Sequence, residues 1–366
     1  MAPPADRRTE VGRGAGRDAP ERAPDDPPLG AAPAPSGRVC ARGSFAPTAP
    51  TRSKPTVQQA PAALAAPSGL LLIDKAVGPT SHDCVARVRR LASTKKVGHA
   101  GTLDPLASGL LVLGLGRATR LLTYLVGLDK TYTATIRLGA STTTDDAAGS
   151  ITYQGVASGL SAGEVETAMA RWRGRVPQVP SAVSAIKVDG QRAYARVRDG
   201  QEVKLKAREV TIRRFDLLDW RLDGPFLDLD VLVECSSGTY VRALARDLGA
   251  DLAVGGHLTA LRRQRVGPFS LESAHTLAAL GASEGVRGAD LRAAVMPMAQ
   301  AASLLWPVRE LTAEETRRLS HGQMIDGRAA ADVIAAISPE GSLVALLTHA
   351  SGTGPNARLR PLAVFV

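Results

Sequence analysis

The sequence predicts an α+β fold with a mixed, largely antiparallel sheet and a small, mostly β domain at the C-terminus. Several predicted strands alternate apolar and polar residues, as antiparallel strands do when one face packs on the core. Predicted helices are interleaved with these strands in no regular order. Beyond about residue 304 the pattern changes to short strands and turns. Together these observations favour α+β over a regular alternation of strand and helix.

The individual elements follow in chain order. GLLLIDK (Gly69–Lys75) is a short apolar strand, and SHDCVARVRRLA has helical spacing with Ser81 as its candidate N-cap. ATRLLTYL predicts a second short helix, and KTYTATIRLG alternates cleanly as a half-buried strand. Ser161 and Glu164 form a capping box that opens a further helix. FLDLDVLVEC alternates again, and Thr239 can cap the helix YVRALARDLGADL that follows it.

Composition divides the chain into three parts. Residues 1–67 are rich in Ala, Pro, Gly and Arg without apolar periodicity, which predicts a disordered tail. Residues 68–297 form the main domain, and a loop around MPMAQ separates it from a small domain at 304–366.

The chain is strongly basic, with a formal net charge of +10 over 366 residues and a sequence pI of about 9.9. The first 67 residues hold nine Lys or Arg and six Asp or Glu, so most of the excess positive charge belongs to the folded part. Such a charge indicates a polyanionic partner, with nucleic acid the first candidate.

Cysteine use and hydropathy indicate the cellular compartment of the protein. Cys40, Cys84 and Cys235 are too few and too scattered for a disulfide framework or a zinc site, which favours a reducing environment. We find neither an apolar run of the ~18 residues that span a bilayer nor a signal-peptide core at the N-terminus. The expectation is a soluble, cytoplasmic protein that needs no membrane and no metal.

The stretch KVGHAGTLDPLASG (Lys96 to Gly109) is too rich in glycine for regular structure, yet it carries one carboxylate, Asp104. Pro105 disfavours the helical region for the residue before it, so Asp104 should be extended on its loop. The glycines allow tight turns and close approach of a ligand. An Asp that caps the following turn is the competing interpretation.

Other candidates also have two interpretations on pattern alone. Arg242 would be the third residue of its helix, where the dipole disfavours a cation, so it is either a surface arginine or the partner of an anion such as Asp104 or a phosphate. Tyr132 is either a tyrosine at the core edge or a stacking platform for a base. On pattern alone, Lys75 is better explained as a solvated lysine at a strand end, and His99 as a residue that forms a hydrogen bond in its loop.

Arg262 and Arg263 belong to a charge run that is either solvated or in contact with phosphates. GLGRATR lacks the third glycine and the following acid of a dinucleotide loop, so we discount a nucleotide cofactor.

Taken together, residues 69–297 and, more loosely, the C-terminal part resemble the bacterial tRNA pseudouridine synthases of the TruB type. GHAGTLDPLASGLLVLGLGRATR is similar to the catalytic motif of that family, and CSSGTYVRALARDLG to the motif that bears its active-site arginine. GLLLIDKAVGPTSHDCV, LDKTYTATIRLGASTTTDDAAG and VPSAVSAIKVDGQRAYARVRDG are similar to its opening, tyrosine-bearing and RNA-clamping segments. Val183, where many relatives have tyrosine, and the basic VKLKAREV depart from the family pattern in the clamping loop.

The resemblance implies a role for each residue. Asp104 would be the catalytic aspartate, Tyr132 would stack on the target uracil, and Arg242 would pair with Asp104. His99 would fill the space that the flipped base leaves in the RNA loop. The supporting and RNA-contacting positions implied in the same way are Lys75 and Tyr240 at the site, and Lys187, Arg192, Arg262 and Arg263 along the RNA backbone.

The resemblance also implies a reaction. Uridine 55 in the TΨC arm of tRNA would be converted to pseudouridine without a cofactor, because nothing is oxidised or reduced overall. It implies a monomer that needs no obligatory protein partner, with residues 304–366 as a PUA-like RNA-binding domain. Sequence leaves open whether Asp104 attacks the sugar, attacks the base or removes a proton. An RNA-folding factor, alone or besides the enzyme, and a guide-RNA-dependent synthase subunit remain competing functions.

Overall fold

In a computed structural model, the structure describes residues 67–182, 187–188, 191–192, 205–281, 289–351 and 357–366. Apart from Pro67, the tail predicted at 1–67 lies outside the described residues, and so does Val183. Of the described helices, none is both long and apolar enough to cross a membrane.

The helices are short and lie between the strands in sequence. Their bounds are α1 Ser81–Leu91, α2 Leu122–Leu125, α3 Ala162–Arg171, α4 Val241–Asp251, α5 Ala289–Ala294, α6 Met298–Ser303 and α7 Ala313–Ser320, with 3₁₀ turns at Gly116–Arg120, Leu271–Ser273 and Ala279–Gly281.

The strands account for most of the regular structure that positions the site. Those up to residue 192 are β1 Gly69–Lys75, β2 Val97–His99, β3 Ala107–Leu115, β4 Lys130–Leu138, β5 Ala140–Thr142, β6 Ile151–Gln154, β7 Gly174–Gln178, β8 Lys187–Val188 and β9 Gln191–Arg192. The later ones are β10 Arg208–Asp223, β11 Phe226–Cys235, β12 Gly256–Val266, β13 Phe269–Ser270, β14 His275–Thr276, β15 Met296–Pro297, β16 Val308–Glu310, β17 Ile325–Asp326, β18 Ile334–Ile337, β19 Leu343–Ser351 and β20 Arg358–Val364.

One large sheet organises the main part of the chain. Its strand order is β14-β1-β3-β12-β4-β11-β10-β7, and β2, β13 and β15 pair at its margins. The pairs β1–β14 and β3–β12 are parallel and the others are antiparallel, which confirms the predicted mixed, largely antiparallel sheet. Along β4 and β11 buried and half-exposed residues alternate, as the sequence pattern predicts.

The helix starts agree with the sequence only in part. Ser161 and Glu164 form the predicted capping box at α3. At α1 the prediction of Ser81 is wrong by one residue, because Thr80 is the N-cap and forms a capping box with Asp83. The helix predicted in ATRLLTYL is a 3₁₀ turn followed by the single turn α2.

The C-terminal module, residues 304–366, is the predicted small β region. Its sheet has the order β16-β18-β19-β20-β17 and packs against α7 around a core of its own. The loop predicted around MPMAQ is instead β15, which pairs with β1, followed by α6. A hydrophobic cluster shared by β1, β3, α6 and the module, which includes Phe365, joins the two parts.

Candidate active site

A cavity of about 560 Å³ opens where the loop between β2 and β3, the start of β4, the turn after β11 and the start of α4 meet. This volume is within the range of small-ligand sites in proteins. Five of the residues predicted for the site line it: His99, Asp104, Tyr132, Tyr240 and Arg242. Arg263 lines it as well. These residues come from two parts of the sequence, 99–132 and 240–263, that are more than 100 positions apart.

The loop that carries Asp104 is fixed to the surrounding fold on both sides. The Ser81 hydroxyl donates to the Leu103 carbonyl at 3.0 Å and accepts from the Leu103 amide at 2.8 Å. Beyond Asp104, the Gly78 amide donates to the Pro105 carbonyl at 2.8 Å. Within this stretch Val97–His99 forms β2 and residues 107–109 begin β3, so irregular backbone is confined to Lys96 and residues 100–106. The prediction that the whole stretch lacks regular structure is therefore wrong near its start and at its end.

Asp104 lies against a buried arginine. Its Oδ2 is 2.9 Å from Nη2 of Arg242, whose side chain is only 6% exposed, whereas that of Asp104 is 42% exposed. The other terminal nitrogen, Nη1, donates to the Thr144 carbonyl at 3.0 Å and is 3.6 Å from Oδ2 of the buried Asp146. Thr144 and Asp146 thus hold the guanidinium through Nη1, while Asp104 binds it through Nη2 and faces the cavity.

Asp146 is itself held in place by its own loop. Its Oδ1 accepts from the Thr144 hydroxyl at 2.5 Å and from the Ala148 amide at 3.1 Å. Hydrogen bonds to a carboxylate fix its orientation. Sequence reasoning missed Asp146, although it lies in the quoted segment TTTDDAAG, because nothing in the segment shows which distant side chain it meets.

Arg242 is the second residue of α4, not the third as predicted, because the helix starts at Val241 with Tyr240 as its N-cap. The predicted cap is also wrong, since the Thr239 hydroxyl donates to the Ser236 carbonyl at 3.0 Å. Gln178 on β7 secures the helix start instead. It accepts from the Tyr240 amide at 2.8 Å and donates to the Tyr240 carbonyl at 3.1 Å.

Tyr132 presents its ring to the cavity from the core side of β4. The side chain is nearly buried, and this burial raises the pKa of its hydroxyl, to which Arg263 is hydrogen-bonded. Arg263 also donates to the carbonyls of Leu110 and Gly101, at 2.7 and 3.1 Å. Arg263 therefore contacts both Tyr132 and the loop that carries Asp104.

Lys130, two residues before Tyr132, is a further lining residue that sequence reasoning missed. Its Nζ donates to the carbonyls of Val126 and Leu128, both at 2.6 Å. Burial lowers its pKa to about 8. The charge of this lysine is therefore poorly solvated beside the cavity.

Comparison with known proteins identifies the family. Residues 89–241 match the TruB family pseudouridylate synthase N-terminal domain, 242–303 the tRNA pseudouridylate synthase B C-terminal domain, and 306–366 the tRNA pseudouridine synthase II C-terminal domain. Proteins named tRNA pseudouridine synthase B are 54% identical over 309 residues in Arthrobacter sp. (strain FB24) and 50% over 301 residues in Thermobifida fusca (strain YX). The matches cover 81% of this chain in both cases, and 96% and 98% of the relatives. The chain belongs to the TruB family.

Solved structures show a similar fold. The chain is similar to a protein in the crystal structure of a Cbf5-Nop10-Gar1 complex, with a TM-score of 0.62 and 25% identity over 81% of this chain and 85% of that one. A chain in an archaeal box H/ACA sRNP Nop10-Cbf5 complex is similar with a TM-score of 0.59 and 25% identity, over 84% of this chain and 89% of that one. The pseudouridine synthase fold and activity predicted from the sequence are therefore confirmed at the level of the family.

Two further residues that the TruB resemblance singles out lie at or behind the cavity. His99 is half-buried at the end of β2, its ring packs edge-on against His82 with centroids 5.5 Å apart, and burial lowers its pKa. Lys75 is fully buried outside the lining. It donates to the Ala107 carbonyl at 2.6 Å, and burial lowers its pKa. Lys75 thus holds the backbone three residues beyond Asp104.

The RNA-backbone residues implied by the TruB resemblance are placed differently from one another. Lys187 and Arg192 pair in the hairpin β8–β9, and their side chains lie outside the described parts. Arg262 binds Asp74 at 2.7 Å. Arg263 is only 1% exposed and is occupied by backbone carbonyls, so its placement does not suit contact with a phosphate at the surface.

Within the described residues, no group of three or more His, Cys, Asp or Glu side chains could hold a metal ion. The groups gathered at the cavity include one partly exposed carboxylate, Asp104, an arginine bound to it and the aromatic ring of Tyr132. Such a set can bind a planar base, hold the carboxylate against a sugar or base, and stabilise charge that develops on either.

Proposed function

We propose that this TruB-family enzyme acts alone on tRNA and isomerises uridine 55 of the TΨC loop to pseudouridine. The observation that carries the proposal is the 2.9 Å pair of Asp104 and Arg242 in a cavity of nucleoside-binding size. The substrate is supported by the relatives named tRNA pseudouridine synthase B, which are matched over nearly their whole length.

The reaction breaks the bond between C1′ and N1 of uridine, turns the base and joins C5 to C1′. Asp104 would supply the carboxylate that acts on the nucleotide, and Arg242 would orient it. The uridine must first leave its stack, at a cost of a few kcal/mol. Stacking on the Tyr132 ring, at ~1–3 kcal/mol, would offset much of this cost, while His99 at the rim would occupy the vacated space in the loop.

The structure of the RNA would provide specificity, since single-stranded loops are read by splayed bases and stems through their phosphates. We place the enzyme in the cytoplasm as a monomer, with the C-terminal module as a PUA-like domain that extends the contact along the tRNA. Identity is 54% to a tRNA pseudouridine synthase B and 25% to a chain of the Cbf5-Nop10-Gar1 complex, which favours independent action over a guide-RNA-dependent subunit. A role in tRNA folding is compatible with the same binding mode.

The test is the release of tritium from an unmodified tRNA transcript labelled at C5 of uridine, with the purified chain alone. Asp104→Asn should lower kcat by at least about 10³-fold, as expected for loss of a group that acts directly on substrate. Asp216→Asn, which removes a surface carboxylate paired with Arg214, is the matched control and should retain activity. A transcript with cytidine at position 55 should release no tritium.

Full activity of Asp104→Asn would refute the catalytic assignment, and inactivity of the wild-type chain without added subunits would refute independent action. Growth competition distinguishes a role in tRNA folding from the catalytic role. A deletion strain that is less fit than one carrying Asp104→Asn would show a function that needs the protein but not its catalysis.

A further inference from the structure

Gln178 is the last residue of β7, the strand at one edge of the large sheet. Its backbone pairs with Arg208, the first residue of β10. The side chain is only 2% exposed and is not among the residues that line the cavity. A buried amide needs hydrogen-bond partners inside the protein, and here they belong to the start of α4, the helix that carries Arg242.

Both ends of the Gln178 amide bind one residue. Its oxygen accepts from the Tyr240 amide at 2.8 Å, and its nitrogen donates to the Tyr240 carbonyl at 3.1 Å. Two such bonds hold the backbone of a residue on both sides of its Cα atom, as a paired strand does. The same carbonyl accepts from the Leu244 amide at 3.1 Å. Gln178 therefore fixes the residue from which the first turn of α4 begins.

Helix α4 depends on this contact because its own residues do not cap it. The described helices α1, α3 and α7 each begin with a capping box, formed by Thr80, Ser161 and Thr312. Tyr240, the N-cap residue of α4, makes no capping bond from its side chain to the described residues of the first turn. The amides of a first turn have no partner within their helix, so such a start is poorly fixed by the helix alone.

Arg242 is the second residue of α4, so the turn that Gln178 fixes carries the active-site arginine. Thr144 and Asp146 hold its guanidinium end. Gln178 holds the backbone from which the side chain starts. A side-chain tip about 6 Å from a helix axis moves by roughly 1 Å when the helix turns by about 10°. A shift of this size would change the 2.9 Å contact of Arg242 with Asp104.

Gln178 also lies at the root of the segment that the TruB resemblance assigns to RNA clamping. That segment starts at Val179, and the chain returns to the sheet at Arg208, opposite Gln178. The Val179 carbonyl accepts from Arg246 of α4 at 2.7 Å. Two consecutive residues at this root are therefore bound to the helix of the active-site arginine.

We propose that Gln178 is a positioning residue for the reaction, which holds the first turn of α4, and with it Arg242, from the root of the RNA-clamping segment. This inference rests on the proposed function, which supplies the role of the pair formed by Asp104 and Arg242. Gln178 itself acts on no substrate atom. Its loss should misplace the pair without removing a group that contacts RNA.

The experiment measures kcat and tRNA binding for Gln178→Met in the full-length chain. Methionine is of similar length but offers neither an N–H nor a carbonyl group to Tyr240. Gln178→Asn is a second variant, which keeps the amide but is one methylene shorter. The control is Arg173→Met at the opposite end of β7, which removes two hydrogen bonds to the Phe215 carbonyl. Urea unfolding verifies that each variant is folded under the assay conditions.

Tritium release from a tRNA transcript labelled at C5 of uridine should give a kcat about 10²-fold below wild type for Gln178→Met, the effect of a misplacement of about 1 Å. Gln178→Asn should lower kcat by at least about tenfold for the same reason. The affinity for the transcript, measured by filter binding, should change less than about twofold in both variants. Arg173→Met should keep kcat and affinity within about twofold of wild type.

Values of kcat for both Gln178 variants that match the control would overturn the proposal, because the two hydrogen bonds would then only support the fold. Weaker tRNA binding with unchanged kcat would also overturn it, and would assign Gln178 to the clamping segment alone.

A crystal structure of Gln178→Met separates this inference from the proposed function. If wild type does not isomerise the transcript, the proposed function is refuted, and displacement of Arg242 from Asp104 in the variant still supports the positioning role. If that contact stays at 2.9 Å in the variant, the positioning role is refuted even where wild type isomerises uridine 55.

Discussion

At the scale of single residues, the geometry of the site depends on Arg242. Its guanidinium joins the carboxylate at the cavity to a second carboxylate behind it, Asp146, and to a backbone carbonyl. A long side chain with this many fixed partners has little freedom to turn. Asp146 thereby determines the position of Asp104, although it lies 42 positions away in sequence and does not line the cavity.

We therefore expect Asp146→Asn to lower kcat about 10²-fold, because a small misplacement of reacting groups has an effect of this size. The amide keeps the size of the side chain but loses the charge that faces Arg242. The affinity for tRNA, measured by filter binding, should change less than about twofold, since Asp146 is buried. Asp145→Asn is the control, because Asp145 pairs with Arg246 instead. Equal losses in both variants would contradict the role of Asp146.

Lys130 predicts a pH dependence of stability. Burial lowers its pKa to about 8 in the folded protein, below the ordinary lysine value of 10.5. Between these two values the unfolded chain binds more protons, so the free energy of unfolding should rise with pH across that window and gain nothing from this group below it.

The measurement is the free energy of urea unfolding of wild type minus that of Lys130→Met at several pH values. The difference should increase by on the order of 3 kcal/mol between pH 8 and 10.5. A difference that is constant with pH would show that Lys130 is as well solvated in the folded protein as in the unfolded chain.

Residue roles were only partly accessible from sequence. Asp104, Tyr132 and Arg242 belong to motifs, and the structure brings all three to one cavity. Ser81 and Asp146 could not be recognised, because each acts on a partner that is remote in sequence. The sequence predicts Ser81 as a helix cap, because a serine at a helix start usually is one.

At the scale of elements, the parallel pairing of β3 with β12 requires a glycine. Gly109 has φ +97°, and a Cβ at this position would overlap the backbone carbonyl oxygen of Arg263 on the neighbouring strand. The close approach of the two strands brings Arg263 to the loop of Asp104. The packing of β3 against β12, and not access of a ligand, therefore explains the glycine at position 109 of the motif.

Gly109→Ala should accordingly destabilise the protein by about 3 kcal/mol or more, because both the backbone conformation and the overlap are unfavourable. Gly174→Ala is a matched control, with φ +87° but open space around the added methyl group, and should cost about 1–2 kcal/mol. Urea unfolding of both variants measures the difference. Equal effects would mean that the overlap is relieved by a small shift of β12.

Strands were more predictable than their surroundings. The alternation along β4 and β11 identifies the buried face correctly, because the period of two depends only on local sequence. The short strand β2 and the β15–α6 connection were missed, since pairing with β3 and β1 creates them and their own sequence does not. Tertiary contacts determine such elements.

At the scale of the whole molecule, the C-terminal module and the main sheet share a hydrophobic cluster. Phe365 is 1% exposed within it, next to the carbonyls that Arg117 and Arg120 contact. Domains that share buried apolar surface of this kind tend to unfold together. The penultimate residue of the chain thus contributes to the stability of residues that precede it by nearly 300 positions.

Phe365→Ala should lower the free energy of unfolding by about 3–5 kcal/mol, as for a buried aromatic side chain, and should keep a single transition. Trp306 in the module and Trp172 in the main part allow fluorescence to report on both. Val366→Ala, at an exposed neighbouring position, is the control. Two separate transitions, of which only one shifts, would show that the parts unfold independently.

The parallel pair β3–β12 also has a kinetic consequence. It joins residues about 154 positions apart, and closing so long a loop is entropically costly and slow. A refolding chain could regain its helices and its local hairpins before the residues of the active site come together. After dilution from denaturant, enzyme activity would therefore recover more slowly than the circular dichroism signal. The rate at which activity returns would measure how fast β3 pairs with β12.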